Sequence, residues 1–382
     1  MKKRLAIIGG GASGMLLANL LNETFEISIF EAQNRILKKV LASGNGMCNL
    51  SNHAFCDVNN LDNKFNTNLD MVFKRFDLNK LKEVFKDLGL ILKEDGEGRL
   101  YPYSKKANNV YEVLSRNIDN KGVKVYTNTL IEDIKCSNTF LLNNKYEFDY
   151  VVFACGSKAS INFKYNAYDI LKDLGFKIND VKPSLVGLKT YENIKSISGL
   201  RQKAKVSLYI DDKLVDCNHG EVQFKDDGIS GIVIMEESRF FDKNKKCVIK
   251  LDFMEEYDDK SLYDLIKELN KKHQDYKDLL IGLLPKMLAY DIADKSKNID
   301  DIVYNLKNYT LNIKDTYGFD NCQVVRGGVN LDEIDLNTFE AKKIKNLYFM
   351  GEVLDVDGTC GGFNLHFAWA SSYIVSEALN KK

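Results

Sequence analysis

The N-terminal part of the chain alternates between short apolar segments and polar or glycine-rich connections. Residues 3–8 are predicted to form a strand, residues 15–22 an apolar helix, and residues 27–30 a second strand. Glycines fill the connection between the first strand and the helix. A short apolar strand, a glycine turn and an apolar helix in this order predict the first unit of a doubly wound sheet.

The hydrophobic pattern changes twice along the rest of the chain. Strand and helix spacing alternate up to about residue 185, a period of two then dominates, and residues 260–309 have helical spacing and many lysines. Near the C-terminus the strand-and-helix pattern resumes. Further strands are predicted at 123–127, 150–154, 205–210, 247–253 and 347–350, and further helices at 78–88, 107–117, 261–271, 276–284 and 364–378.

These changes predict more than one domain, because 382 residues exceed what a single hydrophobic core usually holds. We predict that residues 1–185 and 325–382 together form a nucleotide-binding α/β domain. A β-rich domain is predicted from residues 186–255 and 310–324, with a helical subdomain at 256–309. The two ends of the chain are thus expected to complete one domain around an inserted one.

Composition and charge exclude several classes of function. Lys plus Arg and Asp plus Glu both total 54, so the chain has no net charge to attract a polyanion, and no DNA partner is expected. No apolar run approaches the roughly 20 residues that cross a bilayer, and the first residues enter a strand instead of a signal peptide. We therefore expect a cytoplasmic protein without a membrane partner.

The eight cysteines are scattered along the chain, with no CxxC pair. A disulfide relay and a zinc site both need clustered thiols or imidazoles, so neither is expected and no metal ligand is assigned. Most of the thiols are predicted to be buried as small apolar side chains.

The first glycine turn has the features of a dinucleotide-binding site. The first backbone N–H groups of the helix lack internal partners and the helix dipole is positive there, so a pyrophosphate would be held at this point. Glu31 lies 22 residues after Gly9, where an acid can accept hydrogen bonds from a ribose 2′-OH. The alternative is an ordinary glycine turn. The predicted cofactor contacts are Gly9, Gly11, Ala12, Ser13, Gly14, Glu31 and Ala32.

A second glycine turn follows the strand predicted at 347–350. Glu352 is expected to bond a ribityl hydroxyl, and the glycines at 361–362 would let backbone approach a cofactor closely. The helix that starts near Asn364 would favour an anionic, reduced flavin at its positive end. Two such turns predict one extended cofactor, FAD. The predicted contacts of this turn are Gly351, Glu352, Gly361, Gly362, Phe363 and Asn364.

The acidic residues of the second turn allow another interpretation. Asp355 and Asp357 would then belong to a solvated loop or to a calcium site. A calcium loop of the EF-hand type ends in a Glu that this segment lacks, so the calcium interpretation is disfavoured.

Further segments extend the two turns into a pattern that resembles the BaiN/RdsA family of NAD(P)/FAD-dependent oxidoreductases, also called aminoacetone oxidase family FAD-binding enzymes. The most specific are Cys-Asn-Leu-Ser-Asn at 48–52 and the GExxDxxG…GGFN ending at 351–364. The family implies the α/β fold class, with a Rossmann-like FAD-binding domain that carries an inserted β-barrel and a small helical domain. The other matching segments lie at 9–14, 38–52, 98–110, 153–157, 183–186, 228–231, 326–329 and 351–370.

Several positions depart from the family pattern. Met47 stands where the family usually has Arg. The usual Thr-Gly-Gly-Tyr-Asn ending begins here with Cys360, with Thr359 one place earlier, and has Phe363 in place of the Tyr. The usual Ala-Thr-Gly-Gly strand end reads Ala-Cys-Gly-Ser at 154–157. A cation and a hydroxyl that could contact cofactor or substrate are therefore missing. The FAD assignment depends less on these positions than the substrate assignment does.

The resemblance also implies which residues face the cofactor and the substrate. The catalytic candidates are Cys48, Asn49 and His366. His366 would move a proton if its pKa stays near neutrality, and the alternative is a histidine packed within a helix. Cys48 has a structural alternative as a buried thiol. The remaining predicted cofactor contacts, which include a loop against the pyrophosphate or the flavin ring, are Lys39, Ser43, Gly44, Asn45, Gly46, Ala154 and Gly156.

The predicted function is that of a FAD-dependent oxidoreductase, an enzyme in which flavin N5 takes a hydride from NAD(P)H or a substrate. Only one dinucleotide fingerprint is present, so NAD(P)H is expected as a transient electron donor. The family is associated with small amines, steroid-like bile acids and dihydrouridine in ribosomal RNA, which leaves a small-molecule or RNA substrate open. Residues 241–310 contain 13 lysines and 14 acidic residues. This balance argues against a basic stripe that would bind the phosphates of RNA. A non-catalytic FAD-containing binding protein is a further alternative.

Overall fold

Most of the chain is described by the computed structural model, namely residues 2–61, 63–159, 167–272 and 275–382. The chain divides into two compact units, of which the first is Met1–Lys182 with Val324–Lys382 and the second is Pro183–Gln323. The first unit is therefore built from both ends of the chain. The domain bounds expected from the sequence, and a separate helical domain, stay predictions.

Strands and helices are numbered here in chain order. The strands are β1 (Lys3–Ile8), β2 (Phe25–Phe30), β3 (Ser51–Asn52), β4 (Leu92–Glu94), β5 (Arg99–Pro102), β6 (Lys124–Tyr126), β7 (Ile134–Cys136), β8 (Phe140–Leu142), β9 (Tyr146–Phe148), β10 (Tyr150–Phe153), β11 (Ile178–Ser184), β12 (Leu188–Thr190), β13 (Arg201–Ile210), β14 (Lys213–Lys225), β15 (Gly228–Ser230), β16 (Cys247–Asp252), β17 (Tyr309–Thr316), β18 (Val324–Val329), β19 (Ile334–Asp335), β20 (Glu340–Ala341) and β21 (Leu347–Phe349). The helices are α1 (Ala12–Leu20), α2 (Lys38–Ala42), α3 (Asp70–Arg75), α4 (Leu78–Asp87), α5 (Ala107–Asn120), α6 (Ala167–Asp173), α7 (Ile232–Glu237), α8 (Asp259–Asn270), α9 (Tyr276–Ile281), α10 (Lys286–Asp294), α11 (Ile299–Lys307) and α12 (Phe363–Leu379).

A seven-stranded sheet organises the first unit, in the order β19-β20-β21-β10-β1-β2-β6. Neighbours from β21 to β6 pair in parallel, and β19, β20 and β21 form an antiparallel edge. Leu5, Ala6 and Ile7 of β1 are wholly buried, as expected of a central strand whose sheet is covered on both faces. The carboxyl ends of β1, β10 and β21 therefore lie side by side, and each is followed by a turn that contains glycine.

Helices α1 and α12 pack together within this unit. The hydroxyl of Ser372 in α12 donates to the carbonyl oxygen of Ser13 in α1 at 2.9 Å. Trp369 of α12 is also wholly buried. Because α12 belongs to the C-terminal segment and α1 to the N-terminal one, the two ends of the chain share one core.

Two small antiparallel sheets accompany the large one, β3-β5-β4 and β7-β8-β9. In the first of them Ser51 pairs with Leu100, which fixes the segment that follows Cys48 and Asn49. The backbone N–H of Leu50 also donates to the carbonyl oxygen of Leu100 at 2.7 Å. This sheet therefore positions the candidate residues around residue 49.

The second unit contains a closed barrel, in the order β12-β15-β14-β13-β16-β17, with antiparallel neighbours. Its core is a separate hydrophobic cluster in which Val206 and Ile249 of the barrel join Leu262 of α8 and Leu288 of α10. The period-two pattern predicted this β-rich insert, and the barrel was implied by the family resemblance. The α/β fold class with an inserted barrel is therefore confirmed.

Candidate functional site

The turn after β1 requires glycine at two positions. Gly9 has a φ of +112°, and a Cβ atom there would lie 2.4 Å from the carbonyl oxygen of Ala154. A Cβ atom at Gly14 would lie 2.0 Å from the carbonyl oxygen of Gly9. Backbone from β1, β10 and α1 therefore packs too closely here for any side chain.

Gly11 differs from these two glycines, because a Cβ atom there would meet nothing within 4 Å. It is the N-cap residue of α1, and the helix has no side-chain cap. Ala12 and Ser13 begin the helix, so their N–H groups are among those that lack a partner inside it. An open space in front of an uncapped helix start fits a pyrophosphate group, which is the part of FAD assigned to this turn.

Glu31 directly follows β2 and stabilises the first glycine turn through hydrogen bonds. Its carboxylate accepts hydrogen bonds from the backbone N–H of Gly10 at 2.9 Å and from that of Gln33 at 2.8 Å. Burial raises the pKa of Glu31, although the two backbone donors act in the opposite direction. Ala32 lies between the two bonded segments and is half-buried. The ribose contact of Glu31 stays a prediction.

The second glycine turn begins directly against the first. Gly351 follows β21 with a φ of +68°, and a Cβ atom there would lie 2.8 Å from Ser13 Oγ. Its N–H donates to Ser371 Oγ of α12 at 3.0 Å. The structure thus brings together two turns that are far apart in sequence, both at the carboxyl edge of the parallel sheet.

Glu352 makes an ion pair at the same edge. Its Oε2 lies 2.6 Å from Lys39 Nζ, and its Oε1 accepts the N–H of Val325 at 3.1 Å. Gly156 follows β10 and has a φ of +68°. A Cβ atom added to it would lie 4.0 Å from Oε2 of Glu352. Three predicted cofactor residues therefore meet, and the ribityl bond of Glu352 stays a prediction.

Gly361 and Gly362 lie next to β3 and precede α12. With a φ of +101°, Gly362 leaves no room for a Cβ atom, which would lie 2.5 Å from the carbonyl oxygen of Ser51. The carbonyl oxygen of Gly361 accepts from Asn52 Nδ2 at 3.0 Å. The helix that follows has no side-chain cap, so its first N–H groups are available to a bound group.

The loop at 43–46 is exposed at its glycines and adopts left-handed backbone. Gly44 and Asn45 have φ values of 55° and 54°, and Gly46 has a φ of 79°. The hydroxyl of Ser43 donates to the carbonyl oxygen of Val40 at 2.7 Å. A Cβ atom at Gly44 would lie 3.0 Å from the N atom of Asn49, so this loop contacts the segment of the catalytic candidates.

His366 is wholly buried inside α12, and its environment keeps it neutral. Burial lowers the pKa of this imidazole to about 3, below the near-neutral value that a proton-transfer role requires. Nε2 lies 2.9 Å from the carbonyl oxygen of Phe76, which can only accept, so Nε2 carries the proton and Nδ1 accepts from Ser51 Oγ at 2.7 Å. The ring stacks on Phe55 at 3.5 Å. These contacts argue against a proton-transfer role, which stays untested.

Cys48 and Asn49 occupy different environments. Cys48 is wholly buried, and burial raises the pKa of its thiol to about 12, as the structural alternative requires. Asn49 is half-buried, and its Oδ1 accepts from the N–H of Leu100 at 3.1 Å. A Cβ atom at Gly362 would lie 3.0 Å from the same Oδ1. Of the three catalytic candidates, Asn49 is the one that adjoins both glycine-containing loops.

Asn364 and Phe363 hold the second turn from the helix side. Asn364 accepts the N–H of Gly358 at 2.7 Å and donates to the carbonyl oxygen of Gly358 at 2.8 Å. Phe363 is buried, with its ring near that of Phe55. Both side chains therefore contact protein groups that the sequence did not predict for them.

Sequence reasoning missed the residues that surround Asp355. Its carboxylate accepts hydrogen bonds from Asn66, Asn179 and the N–H of Gly327. Three N–H donors around one carboxylate do not suit calcium, whose ligands are oxygen atoms. No motif marks the two asparagines, because they lie in separate parts of the chain and only the fold brings them to this loop.

A family model described as the HI0933-like protein Rossmann domain matches residues 3–378. The 3-dehydro-bile acid delta(4,6)-reductase of Clostridium scindens is 33% identical over 407 residues, which cover 98% of both chains. A ribosomal RNA dihydrouridine synthase of Haemophilus influenzae is 23% identical, with 98% of both chains covered.

A solved structure has a similar fold. It is the 3-ketosteroid-delta4-(5alpha)-dehydrogenase from Rhodococcus jostii RHA1, with a TM-score of 0.52, 11% identity and coverage of 100% of this chain and 97% of that chain. In the part of the chain that the structure describes, no helix has both the length and the apolar composition needed to span a bilayer.

Proposed function

Since the chain belongs to the HI0933-like family of Rossmann-domain proteins, we propose that it is a reductase that takes a hydride from NAD(P)H and delivers it, by way of FAD, to a conjugated carbon–carbon double bond. Family membership confirms the resemblance to the BaiN/RdsA proteins. FAD is accordingly the cofactor, and the protein is an oxidoreductase. The direction of transfer and the electron donor belong to the proposal.

The observation that carries the proposal is the contact between the two glycine turns. A Cβ atom at Gly351 would lie 2.8 Å from Ser13 Oγ, so the start of α1 and the turn after β21 adjoin each other. One extended dinucleotide can therefore span both, in the position that ligands of doubly wound sheets take at the carboxyl ends of the strands. This supports a single FAD site without a second nucleotide domain.

Different residues of the chain would bind different parts of FAD. The open space at Gly11 and the N–H groups of Ala12 and Ser13 would receive the pyrophosphate, with Glu31 at the ribose. The start of α12 would face the ring, where its positive end favours negative charge. When bound, FAD supplies two-electron chemistry by accepting a hydride at N5. The protein contributes binding and orientation.

The name of one relative supports the proposed substrate class. The name of the 33% identical relative specifies a 3-oxo compound with double bonds at positions 4 and 6, which is a ketone conjugated to two carbon–carbon double bonds. Hydride addition to such a system, with a proton from water, gives the ketone with one double bond fewer and NAD(P)⁺. We favour this class over RNA, because the dihydrouridine synthase is 23% identical and the chain has no net charge.

A cytoplasmic location is part of the same proposal. All eight cysteines are present as thiols, which suits a reducing compartment. NAD(P)H is also available there.

The test is anaerobic reduction of the FAD-loaded protein by NADH or NADPH, followed by addition of a 3-oxo-4,6-diene steroid. We expect the flavin absorption band to bleach with the nicotinamide and to return with the dienone but not with the matching saturated ketone. A flavin that neither nicotinamide reduces, or that the dienone does not reoxidise, contradicts the proposal. Reoxidation by unpaired uridine-containing RNA alone would favour the RNA substrate instead.

A further inference from the structure

Asp355 lies within the second glycine turn and joins it to three other segments of the first unit. Its Oδ1 accepts from Asn66 Nδ2 at 3.1 Å and from the N–H of Gly327 at 3.0 Å. Its Oδ2 accepts from Asn179 Nδ2 at 2.6 Å. Hydrogen bonds to a charged acceptor are among the stronger ones in proteins, so this carboxylate ties the turn to β18, to β11 and to the segment before α3.

Asn66 fixes the same loop through its backbone as well. Its Oδ1 accepts the N–H of Asp357 at 3.0 Å, and its own N–H donates to the carbonyl oxygen of Asp357 at 3.0 Å. Asn66 Nδ2 also donates to the carbonyl oxygen of Asp355 at 3.4 Å, so one asparagine makes four hydrogen bonds to residues 355–357. The position of this loop is therefore set by a residue almost three hundred positions earlier in the chain.

The fixed loop leads directly to the glycine pair. Gly358 is bonded through both its N–H and its carbonyl group to Asn364 in the first turn of α12. The N–H of Thr359 donates to the carbonyl oxygen of Lys64 at 2.8 Å. A displacement of Asp355 would thus move Gly361, Gly362 and the start of α12 together.

We propose that Asp355, oriented by Asn66 and Asn179, is a positioning residue that sets where the second glycine turn and the start of α12 meet the flavin. The inference rests on the proposed place of FAD across the two turns. The charge effect of a helix start falls off within its first turn, so a small displacement changes how strongly it stabilises negative charge. FAD affinity and the electronic properties of the bound flavin should both depend on these three side chains.

The most direct variant is Asn66→Asp, which keeps the size of the side chain and the oxygen that accepts from Asp357. It replaces the donor facing Asp355 with an oxygen, and places two carboxylates together. We expect the FAD dissociation constant to rise about tenfold or more, with a shifted flavin absorption spectrum at saturating FAD. The thermal midpoint of the FAD-free protein should fall, because bonds to a charged acceptor are lost, but the protein should remain folded at the temperature of the binding measurement.

A matched control is available in the same unit. Asn337 is exposed, and its Nδ2 donates to Asp335 Oδ1 at 3.0 Å. Asn337→Asp therefore makes the same chemical change beside another aspartate that has no bond to the glycine turns. Its FAD dissociation constant should remain within about twofold of the wild-type value, and its bound flavin should have the wild-type spectrum.

The reversed pair, Asn66→Asp with Asp355→Asn, provides the second arm. The amide introduced at position 355 can donate to the carboxylate introduced at position 66, so we expect part of the lost affinity to return. The proposal is overturned if Asn66→Asp binds FAD with wild-type affinity and spectrum. It is also overturned if the FAD-free variants, including Asn179→Asp, lose their folded state, because the three residues would then hold the fold instead of the turn.

These measurements use oxidised protein and FAD alone. They need neither NAD(P)H nor an acceptor, so a failure of the proposed reductase activity leaves their outcome unchanged. A failure of this inference, in turn, leaves the reduction experiment unaffected.

Discussion

Burial determines the chemistry of His366 and Cys48. Both residues carry groups that do proton or nucleophile chemistry in other enzymes, and both lie wholly inside the first unit. Removal from water disfavours a charged form, so the pKa of the imidazole falls to about 3 and that of the thiol rises to about 12. At neutral pH both side chains are therefore uncharged. In the FAD-free protein each of them contributes to core packing.

The lowered pKa of His366 predicts a pH dependence of stability. Above the ordinary value of 6.5 both folded and unfolded forms are neutral and the full stability is present. Below pH 6.5 the His366 imidazole is protonated in the unfolded chain, whereas in the folded protein it stays neutral down to about pH 3. From this residue the free energy of unfolding should therefore fall by up to ~1.4 kcal/mol per pH unit as the pH drops below 6.5.

Urea unfolding followed by the fluorescence of Trp369 checks this slope between pH 6.5 and 5. His366→Gln is expected to lower stability at neutral pH and to flatten the slope. An equally steep slope in His366→Gln would contradict the burial argument.

The environment of Cys48 predicts resistance to alkylation. At pH 8 a thiol with a pKa of about 12 is ionised in only about one molecule in ten thousand, and Cys48 is also shielded from reagent. Iodoacetamide should therefore label the exposed Cys56 long before Cys48, as measured by peptide mass spectrometry. Labelling in urea supplies the control, since both thiols should then react. Comparable labelling rates in the folded protein would show that Cys48 is accessible.

At the scale of elements, the first glycine turn separates two physical requirements. Gly9 and Gly14 are required by the protein itself, because strand β10 and helix α1 approach the turn within contact distance. Gly11 faces open space, so the protein alone does not need a glycine there. The turn is thus glycine-rich partly for folding and partly for a bound group.

This distinction predicts opposite outcomes for two alanine variants. Gly11→Ala should keep the thermal midpoint of the FAD-free protein and weaken FAD binding about tenfold or more, because the methyl group enters the pyrophosphate space. Gly14→Ala should lose stability as well, because its Cβ would lie 2.0 Å from the carbonyl oxygen of Gly9.

Titration of FAD-free protein with FAD and thermal unfolding provide both readouts. Gly96→Ala serves as the control, since Gly96 also faces open space but lies in the turn between β4 and β5. If Gly11→Ala binds FAD as tightly as Gly96→Ala does, the pyrophosphate does not lie at the start of α1.

Sequence patterns predicted the long, periodic elements and missed several of the short ones. The strand at 3–8 and the helices α4, α5 and α12 lie within a few residues of their predicted bounds. Several strands of two or three residues, such as β3, β7 and β20, are too short to show a period and were not predicted, whereas β6 and β21 lie inside predicted strands. Their pairing depends on partners elsewhere in the fold.

The same limit applies to the site. Glycine positions were predictable because backbone geometry is local, and the meeting of Gly351 with Ser13 follows from the order of parallel strands. The burial of His366 could not be predicted, because it depends on Phe55 and Phe76 from other segments. The contacts of Asn66 depend in the same way on a loop close to the other end of the chain.

At the scale of the whole molecule, each of the two units has its own hydrophobic core. One cluster contains the residues around the seven-stranded sheet, and the other contains those of the barrel and its helices. The predicted FAD contacts all belong to the first unit. The only tryptophan of the chain, Trp369, also lies in that unit, buried in α12.

FAD should therefore stabilise the first unit directly. A ligand that binds only the folded form adds about 2.7 kcal/mol to the free energy of unfolding at a hundredfold excess over its dissociation constant. We expect the midpoint of the thermal transition reported by Trp369 fluorescence to rise on addition of FAD, and by less with Gly11→Ala at the same FAD concentration.

Hydrogen exchange should slow most in β1, α1 and α12, because these elements form the two turns, and less in barrel strands such as β13 and β14. Gly96→Ala should respond to FAD as the wild type does. A ligand-induced shift with protection confined to the barrel would place FAD in the second unit and contradict the assignment of both glycine turns.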